Sequence, residues 1–204
     1  MCDIASKKLD LVFLLHTSYK MTHQKFQYFK GFILNMLRDA DIDSGNVRVA
    51  VAMYRLRGKV IFDLNAYSKR NDLLKAVHNL RTLKSRQGNV AFGLRIVRKE
   101  ILTPEAGDRP NAPNVVILLT DAESTMIRHR IEAQANLLRN QTGSRVFAVG
   151  VGRPEESDGL KNEMKLVTGD KKDVFYLNYL DGLMNTRNAI ANQVFPCKPI
   201  LKCL

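Results

Sequence analysis

The chain has no tryptophan, and among its 204 residues there are only three cysteines, six prolines, nine phenylalanines and six tyrosines. The cysteines stand at positions 2, 197 and 203, all in the terminal stretches, which leaves no Cys-x-x-Cys redox motif and no His/Cys spacing of a zinc site. No apolar run approaches the roughly 20 residues that cross a bilayer, so membrane insertion is not expected. Acidic residues are few, 20 against 32 Lys and Arg, and the resulting net charge of +12 favours anionic partners. Met1-Cys2-Asp3 is followed by no apolar stretch with a small-residue cleavage site, so no signal peptide is visible. An excised piece of a longer chain would read the same way.

Catalytic signatures are missing too. Gly150-Val151-Gly152 lacks the third glycine of a dinucleotide turn and runs into Arg153-Pro154 in a late strand unit, so these glycines read as tight-turn residues. No Gly-x-Ser-x-Gly elbow exists, and His16 and Ser18 share one loop instead of sitting on separate, mutually oriented elements. His23, His78 and His129 fall on helical stretches with polar neighbours and read as solvated. A nucleotide-using α/β enzyme therefore stands only as the alternative of a different class, and no enzyme is expected.

What is present is ordinary for a globular domain: 45% hydrophobic and 25% charged residues. At this length one domain buries roughly 70% of its unfolded surface. Leu9 to Leu15 reads as a strand followed by a helix over Thr22 to Arg38, with Phe26, Phe29, Ile33, Met36 and Leu37 on one face. Asn46 to Arg55 and Lys59 to Phe62 read as a hairpin turning at Arg57-Gly58, which places one antiparallel strand at an edge. Helices are expected over Ser68 to Leu80 and Val90 to Ile101. A proline-rich surface loop, Thr103 to Pro113, then leads into Val115 to Leu119, whose lack of alternation predicts burial on both faces. A helix marked by Ile127, Ile131, Ala135 and Leu138, the strand Arg145 to Val151, a short helix over Leu160 to Val167, the strand Val174 to Leu177 and a helix from Asp181 to Val194 follow. The alternation predicts an α/β fold: a doubly wound, mostly parallel six-stranded sheet with one antiparallel edge strand and helices on both faces. The domain is expected over residues 9–194, with flanks at 1–8 and 195–204.

If Cys2 pairs with Cys197 or Cys203, the bond closes almost the whole domain into a loop, stabilises it by about 5 kcal/mol and points to an oxidising compartment. Three free thiols in the tails is the other reading.

Two strands end in polar clusters, Leu9 to Leu15 in His16-Thr17-Ser18 and Val115 to Thr120 in Asp121-Ala122-Glu123-Ser124. In an open α/β sheet such strand ends form the ligand crevice. Together with Phe147-Ala148-Val149-Gly150-Val151-Gly152, these segments resemble the von Willebrand factor type A domain from Lys8 to Val194. With the flanking cysteines and Cys197-Lys198-Pro199, the likeness is greatest to the amino-terminal type A modules of type VI collagen. The resemblance implies a Rossmann-like sheet and a divalent-cation adhesion site built on Asp-x-Ser-x-Ser, a later threonine and an aspartate after the fourth strand. Those positions fall here on His16, Ser18, Lys20, Val90 and Asp121, of which only Ser18 and Asp121 keep the family residue. Magnesium needs several well-placed oxygens, so a degenerate site without metal or cofactor is expected, with His16 or Lys20 satisfying Asp121 instead.

From Val77 through Lys99 there is no acidic residue, while Arg81, Lys84, Arg86, Arg95, Arg98 and Lys99 are present, a candidate surface for heparin or another glycosaminoglycan. A solvated basic surface is the alternative. No nucleic-acid reading motif accompanies the charge. Asn140-Gln141-Thr142 is a candidate glycosylation sequon. The resemblance implies a secreted, non-enzymatic matrix module within a larger multidomain chain, binding other matrix proteins or collagen VI modules. A metal-dependent adhesion domain is the first alternative.

Overall fold

A computed structural model describes residues 8–17, 21–38, 40–82, 88–124, 128–151, 157–177 and 182–194. Six strands form one sheet in the order β3-β2-β1-β4-β5-β6. They are β1 (Leu9–His16), β2 (Val47–Tyr54), β3 (Gly58–Phe62), β4 (Asn114–Thr120), β5 (Arg145–Val151) and β6 (Val174–Leu177). All pairings are parallel except β2 with β3, the hairpin at the edge. Among the described residues the α-helices are α1 (His23–Leu37), α2 (Arg70–His78), α3 (Val90–Ile96), α4 (Arg128–Thr142), α5 (Asp158–Thr168) and α6 (Gly182–Val194).

The near-continuous apolar runs of the central strands follow from burial on two faces. Every residue of β1 and β4 is buried. Leu9, Leu11, Phe13 and Leu15 pack on one face against Phe26, Phe29 and Ile33 of α1, Val77 of α2 and Ile190 of α6. Val12 and Leu14 pack on the other against Leu94 of α3, Leu138 of α4 and Met164 of α5. Each such side chain is worth about 1.5–3 kcal/mol of burial. Because the connection after β1 leaves to the α1 face and that after β4 to the α4 face, the crevice between these neighbouring strands is the topological switch point.

Local chemistry sets the element ends. Thr22 caps α1, its hydroxyl accepting from Lys25 N at 3.2 Å, and Asn89 caps α3, accepting from Phe92 N at 3.0 Å. The helix expected over Val90 to Ile101 changes character: α3 stops at Ile96 and a π-helical turn, Val97–Ile101, completes it, with Leu102 N donating to Val97 O at 2.8 Å. Gly58, at the hairpin turn, lies so close to α3 that a Cβ there would collide with Ile96 Cδ1. At the opposite end of the sheet, Asp10 is fully buried and paired with Arg109 at 2.7 Å, while Arg109 NH2 also donates to Leu9 O and Asn46 O at 3.0 and 2.9 Å. That one side chain fastens the proline-rich loop beneath β1.

Candidate ligand site at the strand ends

His16 ends β1 and Asp121 follows β4 directly, so the sheet register brings two residues 105 positions apart into contact. His16 Nδ1 lies 2.9 Å from Asp121 Oδ1. An ionised carboxylate only accepts, so Nδ1 carries the proton and donates. The second oxygen, Oδ2, accepts from Lys25 Nζ at 3.4 Å. The Asp121 side chain has no exposure to solvent, and that of Lys25 keeps 28%. Burial pushes the Asp121 pKa up, but the His16 hydrogen bond, the His16 charge and Lys25 outweigh it and hold the group below its ordinary value.

His16 is itself enclosed. Its ring stacks on Tyr54, its register partner on β2, with centroids 5.0 Å apart and planes 27° apart. Its buried Nε2 has no hydrogen-bond partner among the described residues and faces Gly88, where a Cβ would approach to 2.6 Å. Gly88 is therefore a close-approach glycine that admits the imidazole.

The floor continues through Ser124. Its hydroxyl donates to Gly88 O at 2.9 Å and accepts from Val90 N at 3.3 Å, and its own N–H donates to Glu163 Oε2 at 2.8 Å. Ser124 thus ties together the loop before α3, the loop after β4 and helix α5. Glu163 is 4% exposed with Oε1 unpartnered, and burial pushes its pKa up to about 7, against the Ser124 N–H and aided by the Glu123 charge. Tyr54 is held well above its ordinary value by burial and then by the Glu163 charge.

Of the five positions anticipated for a degenerate metal site, His16 and Asp121 meet, Val90 is buried at the start of α3, and Ser18 and Lys20 lie outside the described residues. Lys25 brings an ammonium group to Asp121, while the contact anticipated from Lys20 falls outside the described residues. Lys25, Tyr54 and Glu163 were missed by sequence reading. A signal existed for two of them: the Thr22 cap puts Lys25 in the first turn beside the strand ends, and Glu163 follows the inward spacing of Leu160, Met164 and Val167. Among the described residues no group of three or more His, Cys, Asp or Glu could hold a metal ion.

The basic stretch does not gather into one patch among its described members. Arg81 is exposed just after α2, on one face of the sheet, while Arg95 and Lys99 are exposed on α3 and its π-turn, on the other. Arg98 is turned to α4, donating to Gln141 Oε1 at 2.8 Å and Gln134 Oε1 at 3.4 Å. Lys84, Arg86, Cys2, Cys197 and Cys203 lie outside the described residues. Asn140 is exposed in the last turn of α4, and the Thr142 hydroxyl of its sequon donates to Leu138 O at 2.6 Å.

Comparison with known proteins agrees with this architecture. Over 176 residues the chain is 33% identical to the collagen alpha-1(XX) chain of Homo sapiens, which covers 85% of this chain and 13% of that one. It is 26% identical over 195 residues to the collagen alpha-6(VI) chain of Mus musculus, covering 95% of this chain and 8% of that one, so type VI collagen is among its relatives. The chain thus spans only about an eighth or less of the length of these relatives. In fold it is similar to proximal thread matrix protein 1 from the mussel byssus, with a TM-score of 0.82 at 21% identity over 95% of this chain and 48% of that one. The sequence model of the von Willebrand factor type A domain matches residues 10–186, and the chain belongs to that family.

Proposed function

We propose that this domain is a non-enzymatic module of the extracellular matrix, one part of a larger secreted chain, that binds other matrix proteins or collagen VI-like modules during microfibril assembly without a bridging metal. The observation that carries the reading is the state of Asp121: both its oxygens are engaged by donors of the protein itself, the His16 imidazole at 2.9 Å and the Lys25 ammonium at 3.4 Å. A divalent ion at that carboxylate would have to displace His16 and Lys25 and then find further oxygen ligands. Val90 offers an apolar side chain where the family has a threonine hydroxyl, and the His16 imidazole stands where it has a carboxylate. Lys25 brings one positive charge to the carboxylate, and the strand-end surface is left to recognise partners by shape and charge.

The relatedness to collagen chains supports the matrix setting. Among the described residues the site holds no nucleophile with an oriented base, which supports a binding role over catalysis. We place the domain over residues 9–194, with a disulfide from Cys2 to Cys197 or Cys203 in the flanks and a glycan on the exposed Asn140. A glycosaminoglycan is the second partner class, favoured by the net charge of +12 and by the exposed Arg95 and Lys99.

Solid-phase binding of the module to collagen VI-type modules, in magnesium and in EDTA, tests the reading. Equal binding in both is expected. Binding that EDTA abolishes would instead establish metal-dependent adhesion.

A further inference from the structure

A cleft of about 600 Å³ lies between the first turns of α1 and the end of α2. Its apolar lining is Met21, Phe26 and Leu80, each 8% exposed or less. Its charged or titratable lining is His23, Lys30, His78 and Arg81, and none of the ten residues around it is acidic.

Lys30 is the unusual member. It is 8% exposed, and among the described residues its ammonium group makes one hydrogen bond, Nζ donating to His78 O at 2.8 Å. That carbonyl lies in the last turn of α2, at the negative end of the helix dipole, and it holds the ammonium at the cleft. An ammonium has three donors, so two are left over, and no carboxylate among the described residues pairs with it. A buried charge left this way is costly unless an anion completes it.

We propose that this cleft receives an acidic segment of a partner protein, one carboxylate reaching Lys30 and a neighbouring apolar side chain covering Met21, Phe26 and Leu80. The mixed lining decides between polyanions. A sulfated polysaccharide satisfies the cations but leaves the apolar wall against polar sugar, whereas a peptide with adjoining acidic and apolar side chains meets both. Arg81 and His23 add positive charge around the carboxylate. This rests on the reading of the domain as an interaction module and names where, and with what chemistry, it takes a partner.

The test is fluorescence anisotropy with a short synthetic peptide alternating glutamate and leucine, its glutamine–leucine counterpart and a heparin oligosaccharide. The glutamate peptide is expected to bind, more weakly as salt rises, with the glutamine peptide at least about tenfold weaker. Lys30→Met, which keeps the side-chain volume, is expected to weaken binding about tenfold, Arg81→Ala a few-fold, and Arg95→Ala on the opposite face not at all. Thermal melts establish that each variant is folded, and if Lys30→Met is not, the exposed pair Arg81→Ala and His23→Ala decides. Equal affinity for the two peptides, indifference to these substitutions, or Lys30-dependent binding of heparin alone overturns the proposal. Binding of collagen VI-type modules in EDTA is read on the same preparation. If it persists while the peptides fail, the cleft assignment falls and the proposed function stands; if it fails while the peptides bind, the reverse holds.

Discussion

His16 carries the electrostatics of the strand-end site and also its packing. Because its Nε2 faces Gly88 at a distance no Cβ tolerates, Gly88→Ala is expected to destabilise the domain by about 1–3 kcal/mol, and much of that loss should vanish in a His16→Ala background. A double-mutant cycle by chemical denaturation measures this, and additive effects would show the contact to be unimportant. Glu163 gives a second residue-level expectation. Its folded pKa of about 7 stands above the 4.5 of an exposed glutamate, so the unfolded chain ionises first and stability falls as pH rises from about 4.5 to about 7. Glu163→Gln removes that slope and is expected to stabilise the domain by about 3 kcal/mol at pH 8 while changing little at pH 4.5. Melting curves of both proteins across that range check it. Asp121 has the opposite sign: its lowered pKa contributes stability at neutral pH that is lost as pH falls below the ordinary carboxylate range. The His16–Asp121 contact was legible in the sequence because both residues close apolar strands. Lys25 was legible only as a first-turn residue beside the strand ends; that its ammonium reaches Asp121 is set by the tertiary fold.

At the scale of elements, strands and helices were readable because burial writes itself into periodicity. Unbroken apolar runs gave β1 and β4, spacings of three and four gave α1 and α5, and Gly58 marked the hairpin. The π-turn after α3 was invisible, because its residues have the same apolar spacing as an α-helix. The tie between the proline-rich loop and β1 was equally hidden: Asp10 and Arg109 stand 99 positions apart, and nothing local pairs them. Asp10 has no solvent exposure, so Arg109→Ala strands a buried carboxylate and is expected to cost about 3–5 kcal/mol. Restoring neutrality with Asp10→Asn in the same chain should recover part of it. A loss within about 0.5 kcal/mol would mean that the prolines, and not Arg109, hold the loop.

For the whole molecule, sequence order alone implied the doubly wound sheet, and the sheet in turn fixes where a ligand edge must lie. What order could not give was the distribution of charge. The basic stretch from Arg81 to Lys99 is continuous in the chain, but its described members face opposite sides of the sheet. The α1–α2 cleft was missed for the converse reason, because Lys30 and His78 come from separate helices. In both cases the surface belongs to the tertiary fold. The ligand edge keeps its aspartate, whose two oxygens are engaged by His16 and Lys25. The reading proposed above is that this edge works without a bound cation.

Isothermal titration of the folded domain with magnesium and with manganese tests that claim most directly. No saturable heat up to millimolar metal is expected, from the natural chain or from Asp121→Ala. Binding at millimolar affinity or tighter, abolished by Asp121→Ala, would contradict it.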